Sequence, residues 1–128
     1  MIRVASIDIG TNTVRLLILE MKPDGSLREV SQARAITRLG KGMDTGKKLL
    51  DDRMDETISV LTKFRDECRK FEPLTIRTVA TSAVREADNQ KNFVSRIKKE
   101  ADLEIEIYPL GKRSRLDGQR SVVEIAKC

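Results

Sequence analysis

The sequence predicts an α/β domain built on one mixed β-sheet with helices on its faces, in the order β-β-β-α-β-α-β. Three observations carry this. Two apolar runs, Ile2–Ile9 and Thr13–Met21, flank a short polar turn, and a third, loosely alternating run follows over 27–39. A long segment from Asp51 repeats apolar residues at steps of three and four. Beyond it, a β-branched run, a helical pattern and a last apolar run alternate, as in strands joined by crossover helices.

Taken in order, the first three runs read as a meander. Pro23-Asp24-Gly25 supplies the second turn, since Pro presets φ, Asp bonds to its own backbone and Gly takes positive φ. Gly40-Lys41-Gly42-Met43-Asp44-Thr45-Gly46 is glycine-rich but lacks the Gly-Lys-Ser/Thr ending of a Walker loop, so it reads as a flexible connector. Met54, Ile58, Leu61, Phe64, Cys68 and Phe71 share one face of a helix over 51–72, with Asp51 as its N-cap and Pro73 as its stop. Residues 74–80 read as a buried strand, and 81–87 as a polar loop with a short helical turn. Asn89 is expected to cap a helix to Ala101 that turns Phe93, Val94 and Ile97 inward. Residues 103–108 form the last strand, ended by Pro109.

At 128 residues the chain is one domain or part of one, and 39% hydrophobic residues suffice for a core. Aromatic residues are 3% with no Trp, so that core is built from Ile, Leu, Val and Ala. Single-stranded nucleic acid, which is held by aromatic stacking, is therefore not an expected partner. The formal charge of +5 favours anions. The absence of His excludes a His-based triad or His-ligated zinc, and Cys68 and Cys128 make neither a zinc site nor a disulfide framework. Cys68 lies on the apolar stripe and is expected in the core. No run reaches the roughly 18 apolar residues of a membrane span, and no signal region opens the chain. No membrane partner and a cytoplasmic location are expected.

The chemistry concentrates in Ile7-Asp8-Ile9-Gly10-Thr11-Asn12-Thr13-Val14. An acid ends the first apolar run. Gly10, free to take positive φ, and three small polar residues then make the turn. Such a turn can point several N–H groups and hydroxyls at one phosphate oxygen, while Asp8 could hold a metal ion that bridges to it. The same residues also suit an ordinary β-hairpin, and the turn alone leaves both readings open.

Two further stretches, Thr37-Arg38-Leu39-Gly40-Lys41-Gly42-Met43-Asp44 and Ala80-Thr81-Ser82-Ala83-Val84-Arg85-Glu86-Ala87-Asp88-Asn89, follow at fixed spacing. With the first, they resemble the exopolyphosphatase/guanosine pentaphosphate phosphatase (Ppx/GppA) family over residues 1–108. The resemblance implies a ribonuclease-H-like first lobe of the actin, sugar-kinase and Hsp70-type superfamily. It implies a Mg²⁺-dependent hydrolase that removes terminal phosphate from polyphosphate, or the 5′ γ-phosphate from guanosine pentaphosphate. Gly10, Thr11, Asn12 and Thr13 would form the phosphate loop, Asp8 would organise metal or water, and Arg85 would reach toward the phosphate chain. A sugar kinase or Hsp70-like ATPase is the alternative within the superfamily, against which the 81–89 stretch speaks.

Residues 109–128 depart from that resemblance. Where the family pattern calls for Ile-Ser-Gly and glutamates, one of them the water-activating base, the chain reads Tyr108-Pro109-Leu110-Gly111-Lys112-Arg113-Ser114-Arg115. Arginine stays protonated and cannot act as that base. From Gly111 onward five basic residues face two acidic ones. A diverged tail and a reading-frame slip near Tyr108 both account for this. The second phosphate loop and the second lobe are not in the sequence, so the chain is expected to be an incomplete lobe, inactive alone. A module that binds polyphosphate or guanosine tetraphosphate without catalysis is the alternative. A fragment that exposes Val122, Val123 and Ile125, and so self-associates, as in a homodimer, is the third reading.

Overall fold

A computed structural model describes residues 2–107. The elements are β1 (Ile2–Ile9), β2 (Thr13–Met21), β3 (Leu27–Ile36), α1 (Met43–Gly46), α2 (Asp51–Lys70), β4 (Thr75–Ala80), α3 (Ser82–Glu86), α4 (Gln90–Ala101) and β5 (Ile105–Ile107). The expected order holds, with one short helix added, α1 inside the glycine-rich stretch; α3 is the short helical turn expected in 81–87. The basic tail 109–128, Cys128, and Tyr108 at the end of the last expected strand lie outside the described residues.

The sheet is ordered β3-β2-β1-β4-β5. β1, β2 and β3 pair antiparallel, whereas β4 runs parallel to β1 and β5 parallel to β4. β1 is therefore central, and its C-terminal end lies beside that of β4, with Ile9 opposite Ala80. Alternation along β1 sends Ala5, Ile7 and Ile9 into one apolar cluster with Met54, Leu61 and Phe64 of α2 and Phe93 and Ile97 of α4. Both long helices thus pack against the same face of the described sheet, rather than dividing between the two. The opposite face carries a smaller cluster around Val4 and Leu19.

The helix ends differ from the sequence reading. The N-cap of α2 is Leu50, with no side-chain cap, so Asp51 is instead the first helical residue. There Asp51 and Asp52 favour the positive end of the helix dipole, and Arg69 and Lys70 the negative end. Glu72 takes the left-handed conformation at φ 46° just before Pro73, and the chain reverses. Asn89 does occupy the N-cap of α4, but its side chain makes no capping bond. Val94 is only half-buried, while Phe93 and Ile97 are fully enclosed. Cys68 is buried as expected, which pushes its thiol up to about 11.

At the far end of the sheet Glu20 is 2% exposed, held by Arg3 Nε at 2.9 Å and Arg28 Nη2 at 3.0 Å. Arg3 also donates to the Phe71 carbonyl and lies over the Phe71 ring, tying the strands to the end of α2. The Arg3 hydrogen bond, with Arg28 behind it, holds the Glu20 carboxyl below its ordinary value of 4.5. A carboxyl lowered by folding stabilises the fold above its unfolded value and loses that contribution as pH falls through the lower folded value. The melting temperature is therefore expected to drop on acidification below pH 4.5, and Glu20→Gln to flatten that part of the profile. Equal slopes for the two proteins in a thermal melt series would refute this role.

Candidate phosphate site

Gly10–Thr13 close the β1–β2 hairpin. Gly10 donates its N–H to the Thr13 carbonyl at 3.0 Å. A Cβ on Gly10 would lie 2.9 Å from that oxygen. Glycine is thus required there by close approach; the left-handed backbone expected of it is absent, since only Gly25 and Gly42 among the described glycines have positive φ.

Three carbonyls of this turn are engaged. Thr11 O accepts from Gly40 N at 2.9 Å, Asn12 O accepts from Thr37 N and Arg38 N at 3.0 and 3.1 Å, and Thr13 O accepts from Gly10. Among the described residues, no backbone carbonyl accepts from the N–H groups of Thr11 and Asn12, and both residues are exposed. With its oxygens bound on one side, the turn leaves N–H groups for the other. That is the polarity an anion needs.

The second and third stretches meet the turn directly. The 37–40 segment supplies the three donors just named, so the start of the glycine-rich stretch, at Gly40, is tied to the turn. Gly40 is wedged there, because a Cβ on it would lie 2.4 Å from Thr11 Cγ2 and 3.7 Å from Ala83 Cβ. Thr81, buried at the end of β4, donates its hydroxyl to Ile9 O at 3.4 Å, and its carbonyl accepts from Arg85 N at 2.8 Å. Arg85 therefore stands in α3 beside the turn. Its side chain is 19% exposed and 4.0 Å from the Glu86 carboxylate. Asp8 is half-buried at the penultimate position of β1, opposite Arg15 on β2 and Val79 on β4.

The structure thus brings Asp8, Gly10–Thr13 and the Arg85 helix to one end of the sheet, outside the C-terminal ends of β1 and β4, where open α/β sheets bind ligands. Sequence reasoning missed Thr81 and Gly40. Their signal was position inside motifs already marked, since a buried Thr and a wedged Gly have no pattern of their own. No group of three or more His, Cys, Asp or Glu converges among the described residues. Asp8 is the single carboxylate placed at this end of β1, and Mg²⁺ commonly uses one carboxylate together with substrate phosphate and water.

The Ppx/GppA phosphatase family model matches residues 18–113. The chain belongs to the Ppx/GppA phosphatase family. Exopolyphosphatase 1 of Mycobacterium tuberculosis is 31% identical over 114 residues, covering 89% of this chain and 33% of that protein. A bifunctional 3-dehydroquinate synthase/phosphatase of Fusobacterium nucleatum is 34% identical over 107 residues, 79% of this chain and 16% of that one. The crystal structure of the Aquifex aeolicus Ppx/GppA family member superposes with a TM-score of 0.80 at 39% identity, covering 84% of this chain and 35% of that chain. An exopolyphosphatase structure from Cytophaga hutchinsonii gives 0.78 at 32% identity, covering 82% and 33%. The chain spans about a third of the length of the exopolyphosphatase it matches. The family fold is that of actin-like ATPases, with a ribonuclease-H-like sheet, as the motifs implied.

Gly10→Ala is expected to destabilise the domain by about 1–3 kcal/mol, the usual cost of forcing an atom into a filled space. Urea unfolding reads this, and an unchanged midpoint would mean that the turn yields freely.

Proposed function

We propose that this chain binds the terminal phosphate of inorganic polyphosphate, or of a guanosine pentaphosphate, in the Gly10–Thr13 turn, and that it is the phosphate-holding part of a phosphoanhydride hydrolase. The observation that carries this reading is the engagement of the Thr11, Asn12 and Thr13 carbonyls, with no backbone carbonyl among the described residues accepting from Thr11 N or Asn12 N. The family relation and the exopolyphosphatases among the relatives support it.

In such a hydrolysis, water attacks the terminal phosphorus, the bridging P–O bond breaks, and charge spreads over the phosphoryl oxygens. Little covalent help is needed; positioning and neutralisation dominate. The Thr11 and Asn12 N–H groups would hold the terminal oxygens, and Arg85 would balance the charge of the chain. Asp8 would hold Mg²⁺ together with the phosphate, and that ion would supply further charge neutralisation when bound. No described residue is assigned as the base. Lys112, Arg113 and Arg115 stand where the family pattern has glutamates, so release of phosphate by the 128-residue chain is expected to be slight. Binding without turnover, by the same residues, is the second reading. It is favoured by the basic 111–128 region, whose contribution would weaken steeply with salt. A cytoplasmic location suits either substrate, and no described helix is long and apolar enough to cross a membrane.

Tripolyphosphate titrated calorimetrically is expected to bind more tightly with Mg²⁺, and Asp8→Ala to lose that increment. Arg85→Ala should weaken binding about tenfold, the scale of one charge-assisted hydrogen bond. Phosphate release from long-chain polyphosphate, measured beside Asp8→Ala, separates catalysis from binding. Release abolished by that variant would mean that another residue serves as base. Absence of binding at every salt concentration would remove the proposal.

A further inference from the structure

The side chain of Asn89 leaves its own helix and pairs with Leu49, forty residues earlier. Its Oδ1 accepts from Leu49 N at 2.9 Å, and its Nδ2 donates to Leu49 O at 3.0 Å. The amide thus makes both bonds that a neighbouring strand would make. Beside it, Asp88 N donates to Lys47 O at 2.7 Å. The next residue, Gln90, donates Nε2 to the carbonyls of Val84 and Arg85 at 3.0 and 3.2 Å. Two adjacent amides therefore reach in different directions, one to Leu49, three residues past the glycine-rich stretch, and one to the backbone of Arg85. Before that stretch and at its first residue, Thr37, Arg38 and Gly40 bind the turn carbonyls. The segment 37–49 is anchored at both ends, with the four-residue α1 and a few local backbone hydrogen bonds between the anchors.

We infer that Asn89 is a positioning residue for the phosphate turn: its amide fixes the 37–49 segment between the Arg85 helix and the Gly10–Thr13 turn, so that the three stretches hold one geometry. This rests on the function proposed above only for its binding consequence. The mechanical coupling stands on the hydrogen bonds themselves.

Asn89→Ala removes both bonds to Leu49. Asp88→Pro is the second variant; it removes the neighbouring donor with Asn89 in place, and Ala87, at ψ 132°, already has the backbone that precedes a proline. Amide exchange followed by NMR in the ligand-free 128-residue chain reads the coupling, and tripolyphosphate titration reads its consequence. Exchange at both Leu49 and the distant Gly40 is expected to quicken about tenfold, as for the loss of one or two net hydrogen bonds. Tripolyphosphate affinity should fall by a similar factor, with the melting temperature lowered by a few degrees. Faster exchange at Leu49 alone, with Gly40 and affinity unaltered, overturns the inference, because the clamp would then be local. Should the unmodified chain bind no tripolyphosphate, the functional reading fails, while quickened exchange at Gly40 would still support the coupling.

Discussion

The structure around the candidate site depends on where four backbone donors point. Gly10, Thr37, Arg38 and Gly40 all give their N–H groups to carbonyls of the 11–13 turn. A short turn has few oxygens, and once these are occupied from within, its remaining polarity is fixed. Tilting the 37–40 segment away would return acceptors to the turn and set negative oxygen beside a negative ligand. In the proposed binding, the position of an anion would be decided by backbone groups, with charged side chains adding to it. This also explains why residues as unremarkable as Gly40 sit under tight steric control.

The second dependence is on the parallel pairing of β1 with β4. It brings Ile9 and Ala80 side by side, and the residues that follow each strand then share a small volume. Thr81 reaches across to the Ile9 carbonyl and starts the helix that carries Arg85. Neither strand builds the site by itself. The core beneath, with Ile7 and Ile9 packed among α2 and α4, holds the strand ends level and so determines how closely the two motifs approach.

Much of this was legible in the sequence, for local reasons. The bounds of β1 and β2 follow from predominantly apolar runs, and α2 from its three–four spacing. Asp24 accepts from Ser26 N, and Gly25 takes φ 87°, as the Pro-Asp-Gly turn implies. The N-cap position of Asn89 was legible, but not what its side chain bonds to, and the start of α2 was misplaced by one residue. An Asp or Asn at a helix start satisfies the local rule whether or not its side chain turns inward, and Asn89 bonds instead to a residue forty positions away. The tethers that flank the glycine-rich stretch were not legible either, because composition reports freedom in the isolated chain and carries no sign of distant partners, Asn12 and Thr11 before it and Asn89 after it. Gly10 was read for its conformational freedom, yet what it answers is the nearness of the Thr13 oxygen.

β3 lies at the border of the described sheet, and its outer row of backbone groups could in principle recruit another strand. Its sequence guards against that. Arg28, Glu29, Gln32 and Arg34 are exposed along it, and the pairing with β2 slips between Ile18 and Leu19. Charged side chains and an irregular register both discourage strand-by-strand growth into fibrils. The lobe can therefore keep a long hairpin at its margin without turning it into a seed for aggregation.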